Sequence, residues 1–357
     1  MKAAVISLGS VSSQWLAKAL EKYFEKVDQI DIRRIEINLS PKKSDIIYKG
    51  NQLEHYDCIY AKGSFKYAAV LRALTRAFCK ESYLPIKASA FTTGHDKLLT
   101  HLKMQQFRIP QPLTYLASTT KSAKNILKRI DYPIVMKLPS GTQGKGVMFA
   151  DSYASASSML DTLDTLKQPF IIQEYIETGG VDIRAIVVGE KVVASMKRMA
   201  VIGEKRANIH VGAKGEAYAL DENTTKIAVD TAQAIGAEIC AVDILESPKG
   251  PVVIEINLSP GLQGITEATK IDVADKIASF LAKKAAEMHE ARKDIGSKKI
   301  MQEVVTDKKE IITNISMRGN RILLPELITK ITKFTDEEEL VMRAEKGKLS
   351  VEKLIGK

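Results

Sequence analysis

Asp243 and Glu255 lie on either side of the turn-forming run Ser247-Pro248-Lys249-Gly250, in the apolar stretches 241–245 and 252–256. A hairpin centred near residue 249 sets these two carboxylates opposite each other, and Asn257, two positions on, shares their face. Ile254 and Ile256 then point to the other face, opposite Val242 and Ile244. Like charges held opposite one another repel, so the pair asks for a counterion. Two carboxylates and an amide oxygen form a hard-oxygen set suited to Mg²⁺, which needs few protein ligands where phosphate oxygens complete its octahedron. The other reading of this face is a solvated polar surface balanced by Lys or Arg.

Upstream, the apolar strand Ile134-Val135-Met136 ends in Lys137 and leads into Ser140-Gly141-Thr142-Gln143-Gly144-Lys145-Gly146. Its glycines let the backbone fold tightly enough for N–H groups to form an anion nest. The Walker pattern is absent, because the lysine precedes the loop and no Ser or Thr follows Gly144-Lys145. Gln173-Glu174-Tyr175-Ile176 follows a short strand and offers backbone groups to a base. Asp182 and Arg184 share one strand face by the period of two. A basic stretch follows with Lys197, Arg198, Lys205 and Arg206, then Asn208 and His210. Cations converging near Mg²⁺ would neutralise phosphoryl and carboxylate charge, whereas scattered ones would be plain surface charge. No Gly-x-Ser-x-Gly elbow, no His-Glu-x-x-His and no His/Cys cluster occurs, and the histidines other than His210 read as helix or surface residues.

The elements that must carry these groups are legible in outline. The chain has 357 residues, 45% apolar and 27% charged, which suits two or three domains and excludes disorder. Apolar runs are strand-sized, so no membrane span is expected, and the opening residues read as a first strand. Cys58, Cys79 and Cys240 suggest neither a disulfide framework nor a metal pair and fit a reducing cytoplasm. The net charge of +10 favours anionic partners. Strands at 3–8, 29–37 and 58–60 alternate with helices at 14–24 and 67–78, which predicts a small α/β domain with a largely parallel sheet. A helix over 96–107 ends at Ile109-Pro110, hairpins at 182–196 and 241–256 imply an antiparallel sheet, and an amphipathic helix covers 267–289. The charged run 292–299 reads as a linker to a separate module over 301–357. Ile-Glu-Ile-Asn-Leu-Ser-Pro occurs twice, at 35–41 and 254–260. The first copy reads as an ordinary strand end, with no Asp on a partner strand and no Gly after its Pro.

Taken in order, Asp96-Lys97, Met136-Lys137 with Gly141-Thr142-Gln143-Gly144, Gln173 to Ile176, Asp182-Ile183-Arg184, Arg206-x-Asn208-x-His210, Val242-Asp243-Ile244-Leu245 and Glu255-Ile256-Asn257-x-Ser259-Pro260-Gly261-Leu262 resemble the ATP-grasp ligases, specifically the RimK-like α-L-glutamate ligases, over residues 1–285. The resemblance implies an α/β (α+β) ATP-grasp fold with a pre-ATP-grasp α/β domain over 1–90. A central subdomain over 91–172 and a C-terminal subdomain over 173–291 with the Mg²⁺ site would enclose an ATP cleft, followed by a small, mostly-β module over 301–357. It implies a carboxylate–amine ligase that phosphorylates a carboxylate to an acyl phosphate, which an amine, commonly that of glutamate, then attacks. Lys97 and Lys137 would hold phosphates, with Gly141, Gln143, Gly144 and Gly146 closing over them. Gln173, Glu174, Tyr175 and Ile176 would meet the adenine, Asp182 the nucleotide, and Arg206, Ala207 and Asn208 the phosphate region. Asp243, Glu255 and Asn257 would hold two Mg²⁺ ions, with Mn²⁺ as the alternative metal and Glu255 bridging. Arg184 and Arg206 would stabilise the transition state. Removing Asp243 or Glu255 would abolish turnover and leave the fold intact, by relieving repulsion.

Two departures bear on the substrate: Ala213 follows Gly212 where a second Gly is common, and Lys197-Arg198 stands where an Arg-rich pair is usual. The implied acceptor is a ribosomal or other protein tail, or a coenzyme with a glutamyl tail. The last module weakly resembles AbrB-like swapped hairpins, which dimerise and often bind DNA. Its nearly balanced charge argues for oligomerisation or substrate docking over nucleic acid. The alternative function is a nucleotide-sensing regulator whose ligase-like domain controls a DNA-binding tail.

Overall fold

The structure is a computed structural model, described here for residues 1–41, 44–141, 146–200, 214–305, 316–319, 321–323, 328, 332–334 and 339–353. The chain divides into two units, Met1–Arg292 and Lys293–Lys357.

The first unit opens with β1 (Lys2–Ser7), buried from Ala3 to Ile6. Ser10 starts α1 (Val11–Leu20) by accepting the N–H of Ser13, and Leu16, Ala17 and Leu20 of the helix are buried. β2 (Lys26–Asp31) pairs with β1 in parallel. The single strand expected over 29–37 is broken, because the Asp31 carboxylate accepts the N–H of Arg33 and a 3₁₀ turn over Ile32–Arg34 redirects the chain. β3 (Ile35–Leu39) then pairs antiparallel with β4 (Ser44–Tyr48), and β4 with β5 (Asn51–Gln52), in a separate small sheet. The first heptapeptide copy lies in this sheet with Asn38 opposite Asp45, so an Asp does stand on its partner strand, contrary to expectation. The parallel sheet is completed by β6 (Cys58–Ala61) on the other side of β1, followed by α2 (Ala68–Phe78).

After α3 (Ala88–Thr93), the Asp96 carboxylate accepts the N–H of Leu99 and caps α4 (Lys97–Gln106). β7 (Thr114–Tyr115), α5 (Thr120–Leu127), β8 (Ile134–Lys137), β9 (Val147–Ala150), α6 (Tyr153–Thr165) and β10 (Ile171–Glu174) follow. Their strands form an antiparallel sheet in the order β7-β10-β8-β9, with its own core of Leu127, Met136, Leu160 and Ile172. β10 runs unbroken across residue 172.

β11 (Val181–Val188) and β12 (Lys191–Met199) make the first expected hairpin. Gly189 at its turn has φ +64°, and a Cβ there would come within 2.6 Å of Phe280, so the position demands glycine on both counts. With β13 (Lys214–Ala217), α7 (Glu222–Ile235), β14 (Ile239–Ser247) and β15 (Gly250–Asn257) the chain completes an antiparallel sheet ordered β13-β12-β11-β14-β15. One continuous core joins this sheet to the N-terminal one through Ile6, Leu16, Ile59, Ile86, Val187 and Leu281. The helix expected over 267–289 is two helices, α8 (Gln263–Thr269) and α9 (Val273–Val305), separated at Lys270 with φ +60°. The charged run 292–299, expected as a linker, is helical within α9, and the division between the two units, after Arg292, falls at its start.

In the second unit β16 (Ser316–Arg318) pairs with β17 (Arg321–Leu323), and β18 (Leu340–Glu345) with β19 (Lys348–Lys353) around Gly347. No helix among the described residues is long and apolar enough to cross a membrane.

Candidate active site

Five charged residues of the five-stranded sheet share one face. Asp243 on β14 is opposite Glu255 on β15 and, on its other side, opposite Arg184 on β11, while Asp182 on β11 is opposite Arg198 on β12. Both hairpins reach this register through a bulge. The two-residue turn Pro248-Lys249 alone would set Asp243 against Ile254, but Ile254 bulges out, Val253 takes the place opposite Ile244, and Glu255 slides into register. Val193 does the same in β12, bringing Arg198 against Asp182.

The guanidinium of Arg184 grips Asp243 through Nε and Nη2 at 2.8 and 2.7 Å, and Arg198 grips Asp182 through the same atoms at 2.6 Å each. Arg198 also reaches Asp243 at 3.0 Å. Asp182, Arg198 and Asp243 are buried. Burial alone would raise the Asp243 carboxyl, but the two arginines outweigh it and hold it down to about 2. Burial pushes Asp182 up against the pull of Arg198. The counter-charge of Asp243 is thus supplied by Arg184 and Arg198, and removing Asp243 would strand Arg184 and leave Arg198 to Asp182 alone rather than relieve repulsion.

Lys97 begins α4 and bridges the two antiparallel sheets. Its Nζ donates to the Gly141 carbonyl at 3.0 Å, just after β8, and lies 3.6 Å from the Glu255 carboxylate on β15. Lys137, at the end of β8, is buried and donates to Gln173 Oε1 at 2.6 Å. Burial pushes its ammonium down to about 8, with Glu255 raising it and Lys97 lowering it. Gln173 is held from behind: its Nε2 donates to Thr114 Oγ1 at 2.8 Å and faces His101 Nε2 at 3.1 Å. His101 Nδ1 faces Gln111 Oε1 at 2.6 Å, which makes Nδ1 the protonated nitrogen and Nε2 the acceptor. Burial, with the Lys137 and Lys97 charges, lowers His101 to about 4, so the ring is neutral near pH 7. The relay fixes which end of the Gln173 amide meets Lys137.

Nothing in the sequence marks Gln111 or Thr114, and His101 lies on a helix as expected, but on the buried side of α4. Its helical spacing gave no sign of a polar partner on another element. We expect His101→Phe to free the Gln173 amide and raise the KM for ATP by up to about tenfold, the upper end for one lost hydrogen bond between neutral groups. Steady-state ADP kinetics check this; an unchanged KM would exclude the relay from positioning Lys137.

The remaining expected residues fall as follows. Glu174 accepts the N–H of Leu113 through Oε1 at 2.7 Å and returns its own N–H to the Leu113 carbonyl at 2.9 Å. The Tyr175 ring meets Phe149 of β9 edge-on at 5.9 Å, and Ile176 is half-buried beside it. Gly146 has φ +78° and pairs its carbonyl with the N–H of Leu138, closing the base of the glycine loop. Gln143 and Gly144 lie outside the described residues, as do Arg206, Ala207, Asn208, Lys205 and His210.

Asp243, Glu255 and Asn257 share a face and offer hard oxygen donors, which is chemistry that fits Mg²⁺. Glu255 is the open member, its side chain 40% exposed, while Asn257 Oδ1 accepts the N–H of Ser259. Among the described residues no cluster of three or more His, Cys, Asp or Glu side chains could hold a metal ion, so the set depends on the amide and on oxygens from a ligand.

Comparison with known proteins places this architecture. The RimK-like ATP-grasp domain family matches residues 94–281. The probable alpha-L-glutamate ligase 2 of Pseudoalteromonas atlantica is 37% identical over 290 residues, covering 80% of this chain and 96% of that protein. A probable alpha-L-glutamate ligase of Methanococcoides burtonii is 36% identical over 288 residues, covering 79% and 96%. Among solved structures, a RimK domain ATP-grasp protein of Sphaerobacter thermophilus superposes with a TM-score of 0.62 at 20% identity, over 79% of this chain and 99% of that one. The ATP-grasp ligase PsnB, complexed with a minimal precursor, Mg and ADP, gives 0.62 at 14% identity over 80% and 98%. With a match over more than half its length and relatives aligned almost end to end, the chain belongs to the RimK-like ATP-grasp family of ligases.

Proposed function

We propose that this protein is an ATP-dependent carboxylate–amine ligase that adds an amino acid, L-glutamate before others, to a carboxylate acceptor through an acyl phosphate, releasing ADP and phosphate. The observation that carries the reading is the junction at Lys97, where one ammonium touches both the glycine loop after β8 and the Glu255 carboxylate of β15. Phosphates lying there would meet Lys97 and Lys137 from one side and the Asp243, Glu255 and Asn257 oxygens, with Mg²⁺, from the other. Two Mg²⁺ ions, or Mn²⁺ in their place, would neutralise phosphate charge.

Gln173 to Ile176, with the Phe149–Tyr175 pair, would wall the base, and Arg184 and Arg206 would offset charge as the carboxylate is phosphorylated. A PsnB structure complexed with the precursor peptide PsnA2 supports a peptide-like acceptor, either a protein tail or a glutamyl-tailed coenzyme. Free thiols at Cys58, Cys79 and Cys240 support a cytoplasmic, reducing setting, and a homo-oligomer is part of the reading. The experiment is turnover with the acceptor carboxylate carrying a heavy-oxygen label. One labelled oxygen in the released phosphate is expected; unlabelled phosphate alongside a labelled product amide would overturn the acyl-phosphate route.

A further inference from the structure

Lys62 directly follows β6, and its N–H donates to the Ile6 carbonyl at 2.9 Å, extending the ladder with β1 by one residue. It therefore stands at the carboxyl edge of the N-terminal parallel sheet, the edge at which open α/β sheets take their ligands. The residue is only 4% exposed. An ammonium carries three donors, yet among the described residues Lys62 Nζ finds one oxygen, the Pro260 carbonyl, at the long distance of 3.4 Å. The Tyr60 ring centroid is 5.8 Å away, and no described carboxylate pairs with the cation. A buried ammonium without a counter-charge is costly, and burial alone pushes this one down to about 8.

The surroundings say where a counter-charge would come from. Pro260 lies three residues beyond Asn257, a span of at most about 10 Å, so the Lys62 ammonium sits within a small molecule's length of the proposed Mg²⁺–phosphate residues. The intervening loop is anchored to the same sheet edge, because Ser12 Oγ accepts the N–H of Leu262 and donates to Gln263 Oε1, each at 2.8 Å. Val11 and Phe65, at the start of α1 and just past β6, stay exposed there, so the rim of this edge is open. Nothing in the nucleotide reading uses Lys62.

We propose that Lys62 is a substrate-binding residue that pairs with a non-reacting carboxylate of a ligase substrate, at a subsite between the carboxyl edge of the N-terminal sheet and the Ser259–Gly261 loop. The inference rests on the ligase function proposed above. The bound carboxylate displaces the long Pro260 contact and supplies the missing acceptors. The incoming amino acid and the acceptor both bring such a group, and the test separates them.

ADP formation is measured for the wild type, Lys62→Met and Lys62→Arg, varying ATP, amino acid and acceptor in turn and repeating each with the non-reacting carboxylate replaced by its amide. Lys62→Met is expected to raise the KM of one carboxylate substrate by about tenfold or more, to leave the KM for ATP unchanged, and to lose the wild-type preference for that carboxylate over its amide. Lys62→Arg is expected to retain the preference, and the substrate affected names the occupant. A Lys62→Met enzyme that keeps the preference, or falls only in kcat, overturns the proposal and leaves Lys62 a support for the Pro260 loop. If Lys62→Met does not fold, a wild type that accepts acids and amides alike overturns it equally. A wild type that turns over with no amino acid and acceptor at all overturns the ligase reading itself, an outcome seen before any variant is compared.

Discussion

Asp243→Ala is expected to abolish ADP formation and also to destabilise the fold by about 3–5 kcal/mol, the usual result of removing one partner from a buried ion pair. Glu255→Ala is expected to abolish turnover equally while costing no more than about 1 kcal/mol, as for an exposed pair. The two carboxylates face each other, but their surroundings differ. Asp243 is buried and accepts from both Arg184 and Arg198, whereas Glu255 is 40% exposed and pairs only loosely with Lys97. Urea unfolding alongside the ADP assay separates the two effects. Equal stability losses in the two variants would contradict the buried lattice, and full activity in either would remove it from the metal set. The pH dependence follows in sign. A carboxyl held down to about 2 contributes stability that is fully present above its unfolded value near 4 and lost as pH falls through about 2. Asp243→Ala should therefore lose most stability, relative to wild type, above pH 4, and the gap should narrow in acid.

Lys137→Met is expected to lower kcat/KM for ATP by about a hundredfold or more, since it removes a preorganised cation from a dry site. In the wild type the same parameter is expected to fall as pH rises through about 8, because the free enzyme loses the buried Lys137 charge there rather than near the usual lysine value. Stability from this group moves the other way: burial penalises the ammonium below about 8, and the penalty is relieved between there and 10.5, where only the unfolded chain holds the proton. Lys62 is pushed down to about 8 as well, so the control is Lys62→Met, in which the fall in kcat/KM for ATP should persist. A flat profile up to pH 10 would remove Lys137 from the phosphate site.

The sequence was readable where a short pattern and a local turn suffice. The hairpin that carries Asp243 and Glu255 is marked by its turn residues, although their pairing also needs the bulge at Ile254, and Lys97 sits where an Asp96 cap requires a helix to begin. What it withheld depended on irregularities and on distant chain segments. The bulges at Ile254 and Val193 each move one residue out of the ladder, and a one-residue slip in a strand sends side chains to the opposite face. Without the second bulge Arg198 could not be set against Asp182, so it read as one more surface cation. His101 and Gln173 are 72 residues apart, and no periodicity links a helix to a strand at that range. The run 292–299 does mark where the two units divide, but the chain crosses it as helix, which its Gly296 and Ser297 gave no reason to expect. The first heptapeptide copy shows the converse: Glu36 and Asn38 repeat the second copy's letters, even with Asp45 across the strand, but on an exposed sheet whose neighbouring strands bring no arginine pair.

The central claim, ligation of an amino acid to a carboxylate at the expense of ATP, is tested most directly by ADP release from Mg·ATP and L-glutamate with and without fractionated candidate acceptors, each fraction then weighed by mass spectrometry. Acceptor-dependent ADP release with a gain of one or more glutamyl residues on a single fraction is the predicted result. Tight ATP binding with no acceptor-stimulated turnover across all fractions and amino acids would contradict it and favour a nucleotide-sensing role.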